Sequence, residues 1–530
     1  MNLKNITKNL QKLLLGAGVV LAAVFASCSD DKEQDTNKPY DPSQPVVISD
    51  FMPRTGGYQE QIIVYGSNFG NDKNRVKLTI GGKEAVVVSV MNDKMYAYIP
   101  ASAYGSEIEV TILDENGNEL GSGITNSDLT FEYTKKVVVG TLCGYKNEQD
   151  NQGEMFGPFD LPTCGFRHEG TLAFDPLFKN RLYLTYDGGH YIVQLDLEAR
   201  THTRLMSSSK FQDRRLRNAD FTLDGEYMIV STDRDENGRH STSLWIVKRS
   251  GDGTFSDKSS VSMLAAYRQC NGVAVHPVNG EVYFNSYENG QLFRLDLKNY
   301  FATINGEVED PSTGMPKTWT GYQEDGCFDE LFQIMDPSYE FNITIHPTGN
   351  YAYLNIINKH YILRTDYDWK KKRFTTPYLV AGKNGSAAWE DAVGGDARVN
   401  RPYQGIFVKN PEYAGRTDEY DYYFADCTNF CIRYITPDGL VRTYAGHSPS
   451  TDNNVWGTED GDLRTQARFR DVTGLAYDVD RDIFYVQDHN NRRIRTIGLE
   501  GEDNPANPDT PEVPGEDEGE GNGEGTENQE

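Results

Sequence analysis

Between residues 135 and 500 the apolar positions come in short pulses separated by turns, and one arrangement of pulses recurs six times. The copies begin at Gly170 (GTLAFDPLFKNRLYLTYDGGHYIVQLDL), Asp220 (DFTLDGEYMIV), Gly272 (GVAVHPVNGEVYFNSYENGQLFRLDL), Phe341 (FNITIHPTGNYAYLNI), Gly405 (GIFVKNPEYAGRTDEYDYYFADCTNFCIRYI) and Gly474 (GLAYDVDRDIFYVQDHNNRRIRTI). Each copy holds three runs rich in β-branched and aromatic residues, divided by two turns of Gly, Pro, Asn or Asp, which is the signature of consecutive strands. A fourth run comes from pieces such as Leu440–Ala445, LVRTYA. Four strands cannot bury their own faces, so six such units predict a six-bladed β-propeller over 135–500, each blade covering the next.

A second all-β region precedes it. From Pro45 to Tyr133 the runs VVISDF, QIIVYGSNF, VKLTIGG, EAVVVSV, KMYAYIP, EIEVTIL and DLTFEY alternate with turns. That number of short strands predicts a sandwich of immunoglobulin size over 45–134. The order Pro53, Gly56-Gly57, Ile62 to Gly70 (IIVYGSNFG) and Gly81-Gly82 resembles the IPT/TIG domain, a resemblance that implies glycines in tight turns and a spacer or stalk role. The propeller region is similar to the NHL-repeat family, most closely at Gly474-Leu475-Ala476-Tyr477, Phe484-Tyr485-Val486 and Asp488 to Ile494, while the second and fourth copies drift from that pattern.

The two ends carry different signals. Lys4, Lys8 and Lys12 precede an apolar run from Leu13 to Ala26 that has the proportions of a signal peptide over 1–27 and is too short to span a bilayer. Phe25-Ala26-Ser27-Cys28 resembles a bacterial lipobox, which implies a lipid on Cys28, and the acidic run Ser29 to Glu33 resembles a surface-export signal within a linker over 28–44. Residues 501–530 hold eleven acidic side chains and no basic one, a tail with almost nothing to bury and hence expected to be disordered. The formal charge of -27 leaves -16 on residues 1–500 and disfavours nucleic acid as a partner. Six further cysteines, Cys143, Cys164, Cys270, Cys327, Cys427 and Cys431, match no zinc spacing; disulfides and buried thiols are both open.

Chemistry is expected at one face of the propeller, where the loops into the innermost strands and the loops between second and third strands crowd together. Arg167 and Arg217 stand three residues before Gly170 and Asp220; Arg268, Arg401 and Arg470 stand four before Gly272, Gly405 and Gly474. The fourth copy has Asp336 and Glu340 instead. Side chains at one height would form a cationic ring suited to a carboxylate or sulfate; they would serve equally as struts between adjacent blades. The long loops Gly382–Arg401 and Gly446–Arg470 carry Trp389 and Trp456, and shorter loops carry Tyr287, His190 and Asn429, a set of aromatic and polar groups fitted to sugar rings. Each tryptophan could also be a buried plug. Trp245 reads as core, and His276 and His346, in matching His-Pro turns, read as turn residues.

No HExxH, GxSxG or GxxxxGK[ST] occurs, so no catalytic residue is expected. His168 and Glu169 are too few for a metal, and neither metal nor cofactor is expected. With lipobox, TIG domain and NHL propeller together, the chain resembles the cell-surface lipoproteins that Bacteroidetes encode in glycan-utilisation systems. That resemblance implies an outer-membrane, lipid-anchored, outward-facing protein that captures a glycan, with transporter components as partners. A polysaccharide lyase or hydrolase and a protein-interaction scaffold of the importer are the alternatives.

Overall fold

The computed structural model describes residues 38–144, 156–160, 165–166, 168–186, 191–233, 242–266, 269–286, 290–298, 328–334, 340–449 and 454–501. Arg167, His190, Arg268, Tyr287, Cys164, Cys327 and the two chain ends lie outside them. The chain divides into two compact units, Met1–Thr134 and Lys135–Glu530.

In the first unit, strands order themselves Val47–Met52, Gln61–Ser67, Lys94–Tyr98, Lys83–Met91, Val76–Ile80, Ile108–Leu113 and Glu119–Ile124. The strand Lys83–Met91 joins the two layers. Its start pairs with Val76–Ile80, Ala85 opposite Leu78, and its remainder pairs with Lys94–Tyr98, Val86 opposite Tyr98. Alternation then sends Ile62, Val64, Leu78, Ile80, Met95, Ile108 and Val110 into one core with Phe51, Phe69 and Phe131. Gly81 needs its glycine: at φ +57° a Cβ would lie 2.6 Å from the Ala103 carbonyl carbon.

The second unit is a ring of six sheets. The blades are Gly170–Phe174, Arg181–Tyr186, Tyr191–Asp196 and Thr201–Ser207 (blade one); Arg215–Phe221, Tyr227–Asp233, Thr242–Lys248 and Val261–Ala266 (two); and Val273–Val275, Val282–Ser286, Gln291–Leu295 and Phe328–Gln333 (three). They continue with Phe341–Ile345, Tyr351–Ile356, Tyr361–Asp368 and Tyr378–Gly382 (four), and Pro402–Lys409, Tyr420–Asp426, Cys431–Ile435 and Val441–Gly446 (five). Blade six takes Val472–Asp478, Ile483–Asp488 and Arg493–Leu499 from the last repeat and its fourth strand, Val137–Gly144, from ahead of the first, with the short Gly461–Asp462 pairing outside it. Val137 faces Leu499 and Gly144 faces Arg493, and Lys136 and Glu500 exchange backbone and side-chain hydrogen bonds at the seam. Ring closure is therefore made by backbone pairing between the two ends of the propeller. The chain enters at Lys135 and leaves at Glu500 on the same face, the one that carries the turns between third and fourth strands.

Seams between blades are tight enough to dictate residues. A Cβ on Gly170 would sit 2.6 Å from the Thr185 carbonyl oxygen and 2.9 Å from Gln487 of blade six, so the repeat opens on glycine. Gln404 of blade five spans the channel: its Oε1 accepts from the N–H groups of Leu172 and Leu475, and its Nε2 donates to the Leu172 carbonyl. Trp245 is buried and donates to Thr232 Oγ1 at 3.1 Å. His276 and His346 hold turns on the far face, each Nδ1 accepting from backbone N–H groups two or three residues on.

Candidate ligand-binding face

The inner strand of each blade starts where its second strand ends, Gly170 opposite Tyr186 and Val472 opposite Asp488. Loops entering the first strand and loops leaving the second therefore share one face, the one opposite the chain's entry and exit.

Two long loops on this face are held from below by buried arginines. In blade five Arg433 donates to Asp426 at 2.9 Å, to Asp391 at 2.8 Å and to the carbonyls of Glu390 and Arg398. In blade six Arg495 repeats the pattern with Asp488 at 2.7 Å, with Asp460, and with the carbonyls of Glu459 and Arg468. A guanidinium carries five donors in a planar fork, so one side chain satisfies a blade carboxylate and a loop backbone together. Taken out of water, these charges are tolerable only with carboxylate and carbonyl partners of this kind. Asn429 belongs to this support: it is 6% exposed and spends both amide hydrogens, on Asp426 and on the Ala388 carbonyl. Asn491 does the same for the other loop through Asp488 and the Gly457 carbonyl.

The loops so held present Trp389 and Trp456, 40% and 37% exposed. Trp389 donates to Thr443 at 2.9 Å and stacks on His447, ring centroids 3.9 Å apart, while burial keeps that imidazole below its ordinary pKa. Trp456 lies under the guanidinium of Arg470, 4.6 Å from the ring centroid. Each indole is half-covered and half open.

The arginines divide into two groups. Arg217 sits inside the strand Arg215–Phe221 rather than before it, at a bulge between Leu216 and Asn218 that turns it toward the channel. It is 3% exposed and pairs with Asp233 at 3.3 Å and with Glu340. Burial alone would raise the Glu340 carboxyl, but Arg217 holds it below its ordinary value. Arg401 pairs with Glu169 at 3.1 Å. Neither pair joins adjacent blades. Arg217 of blade two reaches the entry of blade four, and Arg401 at the entry of blade five reaches that of blade one, so both cross the mouth of the channel. With Arg215 on Asp233 at 2.7 Å, three cations meet three carboxylates among the described residues of the mouth.

Arg470 is different. It is exposed, has no carboxylate partner among the described residues, and lines an open cleft of about 450 Å³ with His168, His489, Asn490 and Arg492, between blades six and one. Of these, sequence reading had selected only Arg470. The cue to the rest was the loop DHNNRR, whose residues 489, 490 and 492 line the cleft while Arg493 and Arg495 turn inward to the carbonyl of Thr458 and to Asp460. Among the described residues, no cluster of three or more His, Cys, Asp or Glu is placed to hold a metal. Cys143, Cys270, Cys427 and Cys431 are buried free thiols. Burial pushes the Cys270, Cys427 and Cys431 thiols up, opposite to what a nucleophilic thiolate needs.

Comparison with known proteins places this architecture. Residues 45–133 match the IPT/TIG domain family. A crystal structure from Bacteroides thetaiotaomicron VPI-5482, named as a conjectured phosphatase, is 48% identical over 88% of this chain and 99% of its own, with a TM-score of 0.73. An auxiliary nutrient binding protein from the same organism is 38% identical over 87% of this chain and all of its own, TM-score 0.72. Another auxiliary nutrient binding protein, from Bacteroides ovatus ATCC 8483, is 32% identical over 88% of this chain and all of its own, TM-score 0.60. The chain belongs to this Bacteroides family. No curated protein matches it. Each of the three crystallised members aligns over at least 99% of its own length, so the family resemblance takes in both the IPT/TIG unit and the propeller.

Proposed function

We propose that the protein is a cell-surface lipoprotein that captures oligosaccharide, an acidic one included, on the face bearing Trp389, Trp456 and Arg470, for an outer-membrane import system. The observation that carries this reading is the pair of long loops, each anchored by a buried arginine, that hold two half-exposed indoles, one of which, Trp456, lies against Arg470 of a polar cleft. Flat apolar rings flanked by fixed polar groups match the alternating C–H and hydroxyl surfaces of sugars. Two members of the family described as nutrient binding proteins support a nutrient-binding role. Anchoring at Cys28 rests on the lipobox-like run Phe25 to Cys28.

Affinity electrophoresis through gels containing neutral or uronate-rich polysaccharides tests the binding. The wild-type chain should be retarded by at least one of them, and Trp389→Ala/Trp456→Ala should migrate as in plain gel. In the same preparations Cys28→Ala should move the protein from the membrane pellet to the soluble fraction. The activity named for the 48% identical relative is checked by assaying phosphate release from the same samples.

A further inference from the structure

Among the described residues, the arginines written at recurrent positions do not act together. Arg217 and Arg401 are committed to Glu340 and Glu169 across the channel, and a ligand anion approaching there meets a carboxylate for every guanidinium. Arg470, at the equivalent place in blade six, keeps its fork exposed. Its position is fixed without consuming its donors. The backbone N–H of Arg470 donates to buried Asp488 at 2.7 Å, and Asp488 is itself held by Arg495 and Asn491. The guanidinium lies over the Trp456 ring, 4.6 Å from its centroid, a contact made through the π face. Arg492, His168 and His489 line the same cleft. Asp471 accepts from Asn490 Nδ2, Asp488 is paired with Arg495 and Glu169 with Arg401. A cleft of about 450 Å³ falls in the ~300–1,000 Å³ range of small-molecule sites.

We infer that this cleft seats one oxyanion, a carboxylate, sulfate or phosphate carried by a sugar ring, between Arg470 and Arg492 beside Trp456. The inference rests on the glycan-capture reading and narrows it: the site takes a single anionic substituent at the seam of blades six and one, while the described arginines of the channel mouth are matched by carboxylates. The surrounding protein is strongly acidic, so a polyanion extending beyond the cleft is repelled where a singly charged terminal residue is not.

Isothermal titration of the chain lacking its first 28 residues tests this with matched probes. These are a disaccharide ending in glucuronate, its glucose counterpart, the 6-sulfated and 6-phosphorylated forms of that counterpart, and inorganic sulfate and phosphate. At least one anionic disaccharide should bind ten-fold or more tighter than the neutral one, and Arg470→Gln should erase that preference, with Arg470→Lys restoring part of it and unfolding temperatures unchanged. Equal binding of charged and neutral disaccharides, or a preference that survives Arg470→Gln, overturns the inference and leaves glycan capture standing. Binding of the inorganic ions alone, an adventitious ion only, overturns it as well. Silence toward every probe in these assays and toward polysaccharide gels removes the capture reading and the inference with it.

Discussion

At the scale of residues, the propeller pairs buried arginines with buried carboxylates, and Asp220 is a buried carboxylate held by backbone N–H groups instead. Asp220, on the inner strand of blade two, accepts from the backbone N–H groups of Val275 at 2.7 Å and Phe221 at 2.8 Å, a tie between blades two and three. Burial pushes its carboxyl up to about 6 from an ordinary value near 3.8, against the lowering effect of those two donors. The folded chain thus holds a proton there that the unfolded chain has released, and stability falls as pH rises from about 4 to about 6, by roughly 3 kcal/mol in total. Subtracting the denaturation profile of Asp220→Asn from that of wild type should isolate this slope. A flat difference curve, or one of opposite sign, would show that Asp220 is ionised throughout. Recurrence of arginine was legible in the sequence because the repeat fixes its height. Its partners were not, because Glu340 lies 123 residues from Arg217 and Glu169 lies 232 from Arg401, and nothing in linear spacing says which blades face each other across a ring. The one local hint was that the fourth copy has no arginine ahead of its inner strand and carries Asp336 and Glu340 there instead. Asn429 shows the converse: a polar residue in a surface loop reads as a ligand contact until the buried Asp426 beneath it is seen to need its amide.

At the scale of elements, the repeat pattern predicts six blades and the structure has six, because period-two alternation and turn residues are local properties of each copy. The closing strand was less legible. VVVGTLCG looks like any apolar run ahead of the first copy, and its partner Arg493–Leu499 lies at the other end of the domain. That strand buries Val138, Val139, Leu142 and Cys143 against blade six. A propeller begun at Tyr145 should lose about 6 kcal/mol or more relative to one begun at Lys135, from the burial of those side chains alone, and expose the edge of Arg493–Leu499 to aggregation. Urea denaturation of the two fragments checks this; equal midpoints and slopes would mean that the closing strand is dispensable and the ring closes by packing.

At the scale of the whole molecule, the propeller separates its attachments from its loops: both chain connections leave one face, and Trp389, Trp456 and the Arg470 cleft occupy the other. The central claim is that this face recognises sugars. The most direct measurement is a glycan array of neutral, uronate-containing, sulfated and sialylated oligosaccharides, probed with the soluble chain and with Trp389→Ala/Trp456→Ala. The account predicts selective retention of a subset, with anionic members in it, that disappears in the double variant while the fold is unchanged by circular dichroism. Retention that is indifferent to both tryptophans, or no retention of any glycan by the folded wild-type chain, would contradict it.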